Sequence, residues 1–194
     1  LKSSNFRETS VILSVYTEHI GRIKGLLKGV RTEKSRIPPL TFTPGAHIFA
    51  IFYIKRFSEL NLISSPSLLQ FYETNGKSNL QVWRIILNLV NLFTPEKEKD
   101  ERIFNLLKES GRMLTSIKTP EILFTIFKLK LIKILGYGIE LSRCIVCGSK
   151  EKTNIFSGKL GGIICQQCRC KDSHAIRIPN RVLRVMQEME RMEI

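Results

Sequence analysis

Thr9-Ser10-Val11-Ile12-Leu13-Ser14-Val15-Tyr16 is followed by a turn at Glu18-His19-Ile20-Gly21 and a second apolar run from Ile23 to Leu27. The fold is decided here. Both runs are rich in β-branched and apolar residues and are joined by a glycine-bearing turn, which predicts a strand, a turn and a strand. Working outward, Lys28 to Pro39 reads as a basic, proline-terminated loop carrying Lys28, Arg31, Lys34 and Arg36 against one acid, Glu33. His47 to Ile54 is a further, almost continuously apolar strand; Lys55-Arg56 then leads into the alternating segment Leu60-Asn61-Leu62-Ile63. Short strands with Gly/Pro turns and a basic connection predict a small barrel of the OB type. Gly21, Gly25 and Gly29 recur every four residues, but no Gly-Lys-Ser/Thr follows, so a phosphate loop is rejected. Such glycines mark bends or bulges in a small barrel.

After Asn75-Gly76 the period becomes helical. Leu80 to Phe93 is apolar on nearly every face and predicts a core helix broken by Thr94-Pro95. Ile103, Phe104, Leu107, Met113, Leu114 and Ile117 form one apolar stripe of a second helix. Thr119-Pro120-Glu121 combines a cap, a first-turn proline and an acid on the dipole, starting a third helix that runs to Leu135 and stops at Gly136. A last amphipathic helix covers Asn180 to Met192, with Val182, Leu183, Met186, Met189 and Met192 expected to face a core. The class is therefore α+β: an OB-type barrel over 1–72 and a helical domain over 73–194, with a cysteine knuckle inserted at 141–172.

That knuckle is Cys144-Ile-Val-Cys147 and Cys165-Gln-Gln-Cys168, two CxxC pairs separated by seventeen residues. The spacing is that of a four-thiolate zinc site, and four thiolates leave no open coordination position, so the expected Zn2+ is structural. Two disulfides are the competing reading, against which stand an odd fifth thiol and the lack of a signal peptide. A redox CxxC requires a thioredoxin-like βαβ pattern that is missing here. Cys170 and His174 lie close enough to substitute as ligands, although the two CxxC pairs already complete the set.

Composition bounds the partners. With 194 residues and 43% apolar content the chain can bury a core, and 31 Lys+Arg against 17 Asp+Glu leave a formal charge of +14. An excess of that size points to polyanions, nucleic acid or an anionic surface; solvated lysines of a basic proteome are the plainer alternative. The most apolar stretch, Ile122 to Leu135, carries Lys128, Lys130 and Lys133, so a membrane span is not expected. The lack of a signal peptide and the reduced cysteines predict a cytoplasmic protein. Leu1 is not a methionine, and a few residues are expected before it.

OB barrels track phosphates with cations and stack bases on aromatic rings. The phosphate candidates are Arg22, Lys24, Lys28, Arg31, Lys34, Arg36, Lys55 and Arg56; the stacking candidates are Tyr16, Phe49, Phe52 and Tyr53. About half of any aromatic set on alternating strands faces the core. His19, His47 and His174 are far apart in sequence, and no HExxH, GxSxG or Walker pattern occurs, so no enzymatic activity is expected.

These residues together resemble the RecO family. Thr17-Glu18-His19-Ile20-Gly21-Arg22 is similar to its "T-x-x-x-G-(K/R)" turn, Lys28-Gly29-Val30-Arg31 to "KGA(R/K)", and Lys34-Ser35-Arg36 to "KSR". Arg7-Glu8-Thr9-Ser10 resembles the "Y-G-E-x-D" opening, with the tyrosine and the aspartate replaced. Leu135-Gly136-Tyr137 running into Cys144-Ile-Val-Cys147-Gly148 resembles the "LLGY…C-x-x-CG" junction of zinc-bearing members, and Phe156-Ser157 with Gly161-Gly162-Ile163-Ile164-Cys165 continues it. The resemblance spans most of the chain in order, with a short region after the cysteines. It implies a non-enzymatic recombination mediator that binds single- and double-stranded DNA and anneals complementary strands. It also implies partners: RecR, the C-terminal tail of single-strand-binding protein and, indirectly, RecA on coated gaps. From the residues alone, a zinc-ribbon regulator of duplex DNA, an RNA-binding translation factor and a thiol oxidoreductase remain rival readings.

Overall fold

Five strands, β1 (Lys2–Phe6), β2 (Ser10–Thr17), β3 (Gly21–Leu27), β4 (His47–Tyr53) and β5 (Leu60–Gln70), form one sheet of order β1-β2-β3-β5-β4. The β2–β3 hairpin pairs Val11 with Leu27 through to Thr17 with Gly21, as the quoted stretch predicts. Its turn is pinned by Thr17, whose hydroxyl accepts from the Ile20 amide and donates to the Gly21 carbonyl, both at 3.0 Å. Crossing from β3 to a parallel β5, with β4 returning antiparallel at the edge, is the Greek-key order of an OB-type barrel. Among the described residues no β1–β4 ladder closes it.

The computed structural model describes residues 1–54, 60–74, 76–150 and 153–192. Lys55 and Arg56 lie outside the described residues. Two compact units are present, Leu1–Phe124 and Thr125–Ile194, and the division falls within the third helix.

Inside the barrel, Val11, Leu13, Leu27, Val30 and Ile63 form a buried cluster, with Val15, Ile37, Phe42, Ala50 and Phe52 packed against it. Gly25 belongs here because a Cβ would collide with the Ile63 side chain. Strand β1 carries no apolar alternation beyond Phe6, and its mostly exposed side chains gave the sequence no signal for it. Its order comes from the ladder to β2.

Helices α1 (Lys77–Phe93) and α2 (Glu101–Leu114) complete the N-terminal unit with the start of α3 (Pro120–Ile134). Val82, Trp83, Ile86, Leu87 and Val90 of α1 are buried, but Leu80, Ile85, Leu92 and Phe93 are exposed, so the helix has one core face and not several. On α2 the buried stripe is Ile103, Leu106, Ser110 and Leu114; Met113 faces solvent and Ile117 lies beyond the helix. Asn79 is buried and its amide donates to the carbonyls of Leu114 (2.9 Å), an acceptor that the end of α2 leaves open, and of Ile117 (3.0 Å) in the turn beyond it.

The C-terminal unit holds a second sheet of β6 (Ile155–Ser157), β7 (Gly162–Ile164) and β8 (Ile176–Arg177), in the order β7-β6-β8. Helix α4 (Asn180–Arg191) forms where its period predicts. The expectation that its apolar stripe is core is corrected: no residue of α4 is buried, Val182 and Met192 are exposed, and Leu183, Met186 and Met189 are half-buried. Periodicity reports an apolar face but not what covers it.

Candidate metal centre and nucleic-acid surface

The two CxxC pairs meet. The Sγ atoms of Cys144, Cys147, Cys165 and Cys168 all lie within 4.8 Å of one another, and those of Cys147 and Cys165 are 3.7 Å apart. Four thiolates at about 2.3 Å from one tetrahedral zinc stand about 3.8 Å from each other. All five cysteines are free thiols, and Cys170 is exposed, outside the cluster. His174 is also outside it.

Local structure places each sulfur. The first knuckle closes by the Gly148 amide donating to the Cys144 carbonyl (2.8 Å) and the Cys144 amide donating to Ser149 (2.7 Å). The second turns where the Cys168 amide donates to Cys165 (3.1 Å), and the Ile145 amide ties the first knuckle to β7 through Ile163 (2.9 Å). Behind them Cys144, Ile155, Ile164, Cys165 and Ala175 form a small buried cluster. Asp172, also buried, accepts from the Ser157 hydroxyl (2.6 Å) and the His174 amide (3.0 Å), closing the loop that follows the second pair.

The sulfurs are electrostatically unequal. Burial alone would raise the Cys144 thiol, but backbone N–H groups of Cys147, Cys165 and Val146 converge on it and bring it down to about 6. Cys168 is pushed up to about 12, first by its hydrogen bond with Cys165 and then by burial and the other thiols. Cys144 readily forms a thiolate, whereas the neighbouring thiols oppose ionisation of Cys147 and Cys168, a conflict that a bound cation relieves. The residues fit a metal ion.

The phosphate candidates divide into two groups. On the outer face of β2–β3, Arg22 donates through Nε to the Thr94 carbonyl (2.8 Å) and through a terminal nitrogen to Glu96 (3.1 Å). Lys24 Nζ reaches the same carboxylate at 2.8 Å. The hydrogen bond from Lys24, with the nearby Arg22, holds the Glu96 carboxyl below its ordinary range despite partial burial. Tyr16 donates to the Asp100 carbonyl (3.2 Å) and Ser14 to Asn91 (2.6 Å). The Lys97 amide donates to the Arg22 carbonyl (2.8 Å). Gly21, at φ +81°, lies so close under the Glu98 carbonyl that any Cβ would collide with it. Residues 91–100 thus cover the strand 2–3 face that OB barrels commonly offer to nucleic acid. Arg22 and Lys24 are engaged there by Glu96, which no local sequence pattern couples to them.

Lys28, Arg31, Lys34 and Arg36 are exposed on the loop after β3. Arg31 joins that loop to the β1–β2 turn: its amide donates to the Thr9 carbonyl (3.0 Å) and its guanidinium to the Arg7 carbonyl (3.2 Å). Arg7, exposed and at φ 52°, therefore joins the basic end of the sheet. It was not among the sequence candidates, because only the fold brings residue 7 beside residue 31. Among the described residues, Arg7, Lys28, Arg31, Lys34 and Arg36 enter none of the ion pairs, and Glu8 and Glu33 are the acids on these two loops.

The aromatic candidates separate as alternation requires. Tyr16 is buried and Phe52 packs in the barrel core, whereas Phe49 and Tyr53 are 61% and 55% exposed.

Comparison with known proteins covers the chain from end to end. A family model described as "Recombination protein O N terminal" matches residues 1–72, and one described as "Recombination protein O C terminal" matches residues 80–194. Among similar proteins, the DNA repair protein RecO of Caldicellulosiruptor bescii is 32% identical over 181 residues, covering 92% of this chain and 73% of the relative. The protein of the same name from Caldicellulosiruptor saccharolyticus is 30% identical over 172 residues, covering 87% and 69%. That from Alkaliphilus metalliredigens is 30% identical over 187 residues, covering 92% and 73%.

Proposed function

Because the chain belongs to the RecO family of DNA repair and recombination proteins, we propose that it is a non-enzymatic mediator that binds single- and double-stranded DNA and anneals complementary strands. In this reading it works with RecR and the tail of single-strand-binding protein, and helps RecA onto gaps coated by that protein. The observation that carries the DNA-binding part is the basic end of the N-terminal sheet. There Arg31 ties two loops together and Arg7, Lys28, Lys34 and Arg36 stand exposed beside it.

Annealing requires no bond chemistry. Cations that neutralise phosphates reduce the repulsion between two strands, and release of condensed counterions drives binding. Neither effect reads sequence, so affinity should be similar for unrelated sequences and fall steeply with salt. The four-cysteine centre is assigned to Zn2+ as a structural ion held by Cys144, Cys147, Cys165 and Cys168. When bound, it supplies charge neutralisation to the thiolates and cross-links the two knuckles.

Fluorescence anisotropy with unrelated single strands and duplexes across a salt series tests this reading. A linear fall of log K with log salt, with little difference between sequences, is the expected result. Selective binding of one duplex sequence would favour a zinc-ribbon regulator, and preference for structured RNA a translation factor. Either outcome overturns the proposal.

A further inference from the structure

The outer face of β4 takes part in nothing described so far. Its inward residues Ala50 and Phe52 pack on the barrel core, while Phe49, Ile51 and Tyr53 alternate outward and are exposed. Across the ladder Phe49 is paired with Ser67, Ile51 with Ser64 and Tyr53 with Leu62, so the Phe49 ring has a small hydroxyl residue opposite it. Residues 34–58 contain no Asp or Glu.

Register brings this face to the basic loops. Strand β3 accompanies β5 only as far as Leu27 opposite Ile63; beyond that, β5 runs on with β4 alone, to Gln70 opposite His47. Lys28 therefore leaves the sheet just past that pairing, toward Ser64, whose partner is Ile51; beyond a shift in the β4–β5 register, Phe49 follows opposite Ser67. Arg31, anchored to Thr9 and Arg7, follows directly. Meanwhile the strand 2–3 face is covered by residues 91–100, down to the collision that any side chain at Gly21 would make.

We propose that Phe49 and Tyr53 form a base-stacking ledge for single-stranded nucleic acid, with the loop cations Arg7, Lys28 and Arg31 holding the adjoining phosphates. The inference rests on the DNA-binding reading above and states where unpaired bases go. Aromatic rings on a stretch of chain without carboxylates, next to loops whose exposed cations outnumber Glu8 and Glu33, complement a polyanion that carries its own flat apolar faces. A duplex hides those faces in its stack, so the ledge discriminates strand state and not sequence.

The test uses the whole chain, Phe49→Ala and Tyr53→Ala, with Tyr53→Phe as the conservative control. Fluorescent oligo(dT) and a duplex serve as probes across a salt series. Each alanine variant should bind oligo(dT) roughly tenfold more weakly, the size of one lost stacking contact. The slope of log K against log salt should be unchanged, because no phosphate contact is removed. Duplex affinity should stay within about twofold of the parent, and Tyr53→Phe should behave as the parent. Unchanged oligo(dT) binding by both alanine variants, or equal loss on both probes, overturns the ledge while leaving the DNA reading intact. A parent chain that binds neither probe overturns both. Both side chains are exposed, and equal melting temperatures will exclude misfolding as the cause of any loss.

Discussion

At the residue scale, Glu96 gives Arg22 and Lys24 a shared partner that their places in the sequence do not announce. Arg22 and Lys24 read as phosphate contacts because they are basic and sit on a barrel strand, yet both are held by one carboxylate from residue 96. The Glu96 carboxyl titrates below its ordinary value of 4.5, so its contribution is fully present above that value and is lost as pH falls through the lower folded one. Glu96→Gln should therefore cost about 1 kcal/mol at neutral pH and flatten the acid limb of the stability curve. Urea unfolding at several pH values measures both, and an unchanged acid limb would contradict the assignment. Among the aromatic residues, strand alternation predicted that half would be buried without saying which half. The ladder between β4 and β5 decides it, since a one-residue shift in register would exchange Phe49 for Phe52.

At the element scale the cysteine knuckle was the most legible feature. Two CxxC pairs carry their geometry locally, and the structure needs only a short hairpin to join them. Among the described residues its buried cluster is small, five residues of which two are cysteines, so a metal that joined the two pairs would add substantially to its stability. Cys144→Ala should lose the metal and lower the stability of the C-terminal unit, as chelation should for the parent. Metal content by mass spectrometry and thermal unfolding report these effects; a metal-free variant of parental stability would contradict the structural role. Metal release should also rise as pH falls, because every ligand must be a thiolate. The helices were legible in extent but not in surroundings. Helix α4 shows this: its apolar stripe marks a face, while burial depends on neighbours far off in sequence. Asn79 shows the converse, a polar residue whose buried role appears only once α1 lies beside the end of α2. Asn79→Ala leaves two carbonyls without a donor and should destabilise the N-terminal unit by about 1–3 kcal/mol. Denaturant titration is the measurement, and a change below about 0.5 kcal/mol would remove Asn79 from that role.

For the whole molecule, the formal charge of +14 announced a polyanionic partner but not its location. The sheet topology concentrates exposed cations at one end by bringing the β1–β2 turn to the loop after β3. Charge reversal at Lys28, Arg31 and Lys34 together should lower affinity uniformly across sequences and reduce the salt slope by about 2–3; an unchanged slope would take that loop out of the interface. No helix among the described residues is long and apolar enough to cross a membrane. The central proposal is a mediator that anneals DNA through a protein coat, and the most direct measurement is annealing of complementary strands saturated with single-strand-binding protein, followed across a salt series. Acceleration over the coated strands alone, fading as salt rises, is the expected result. Annealing of bare strands with no effect on coated ones would contradict it, leaving a basic DNA-binding protein without the mediator activity.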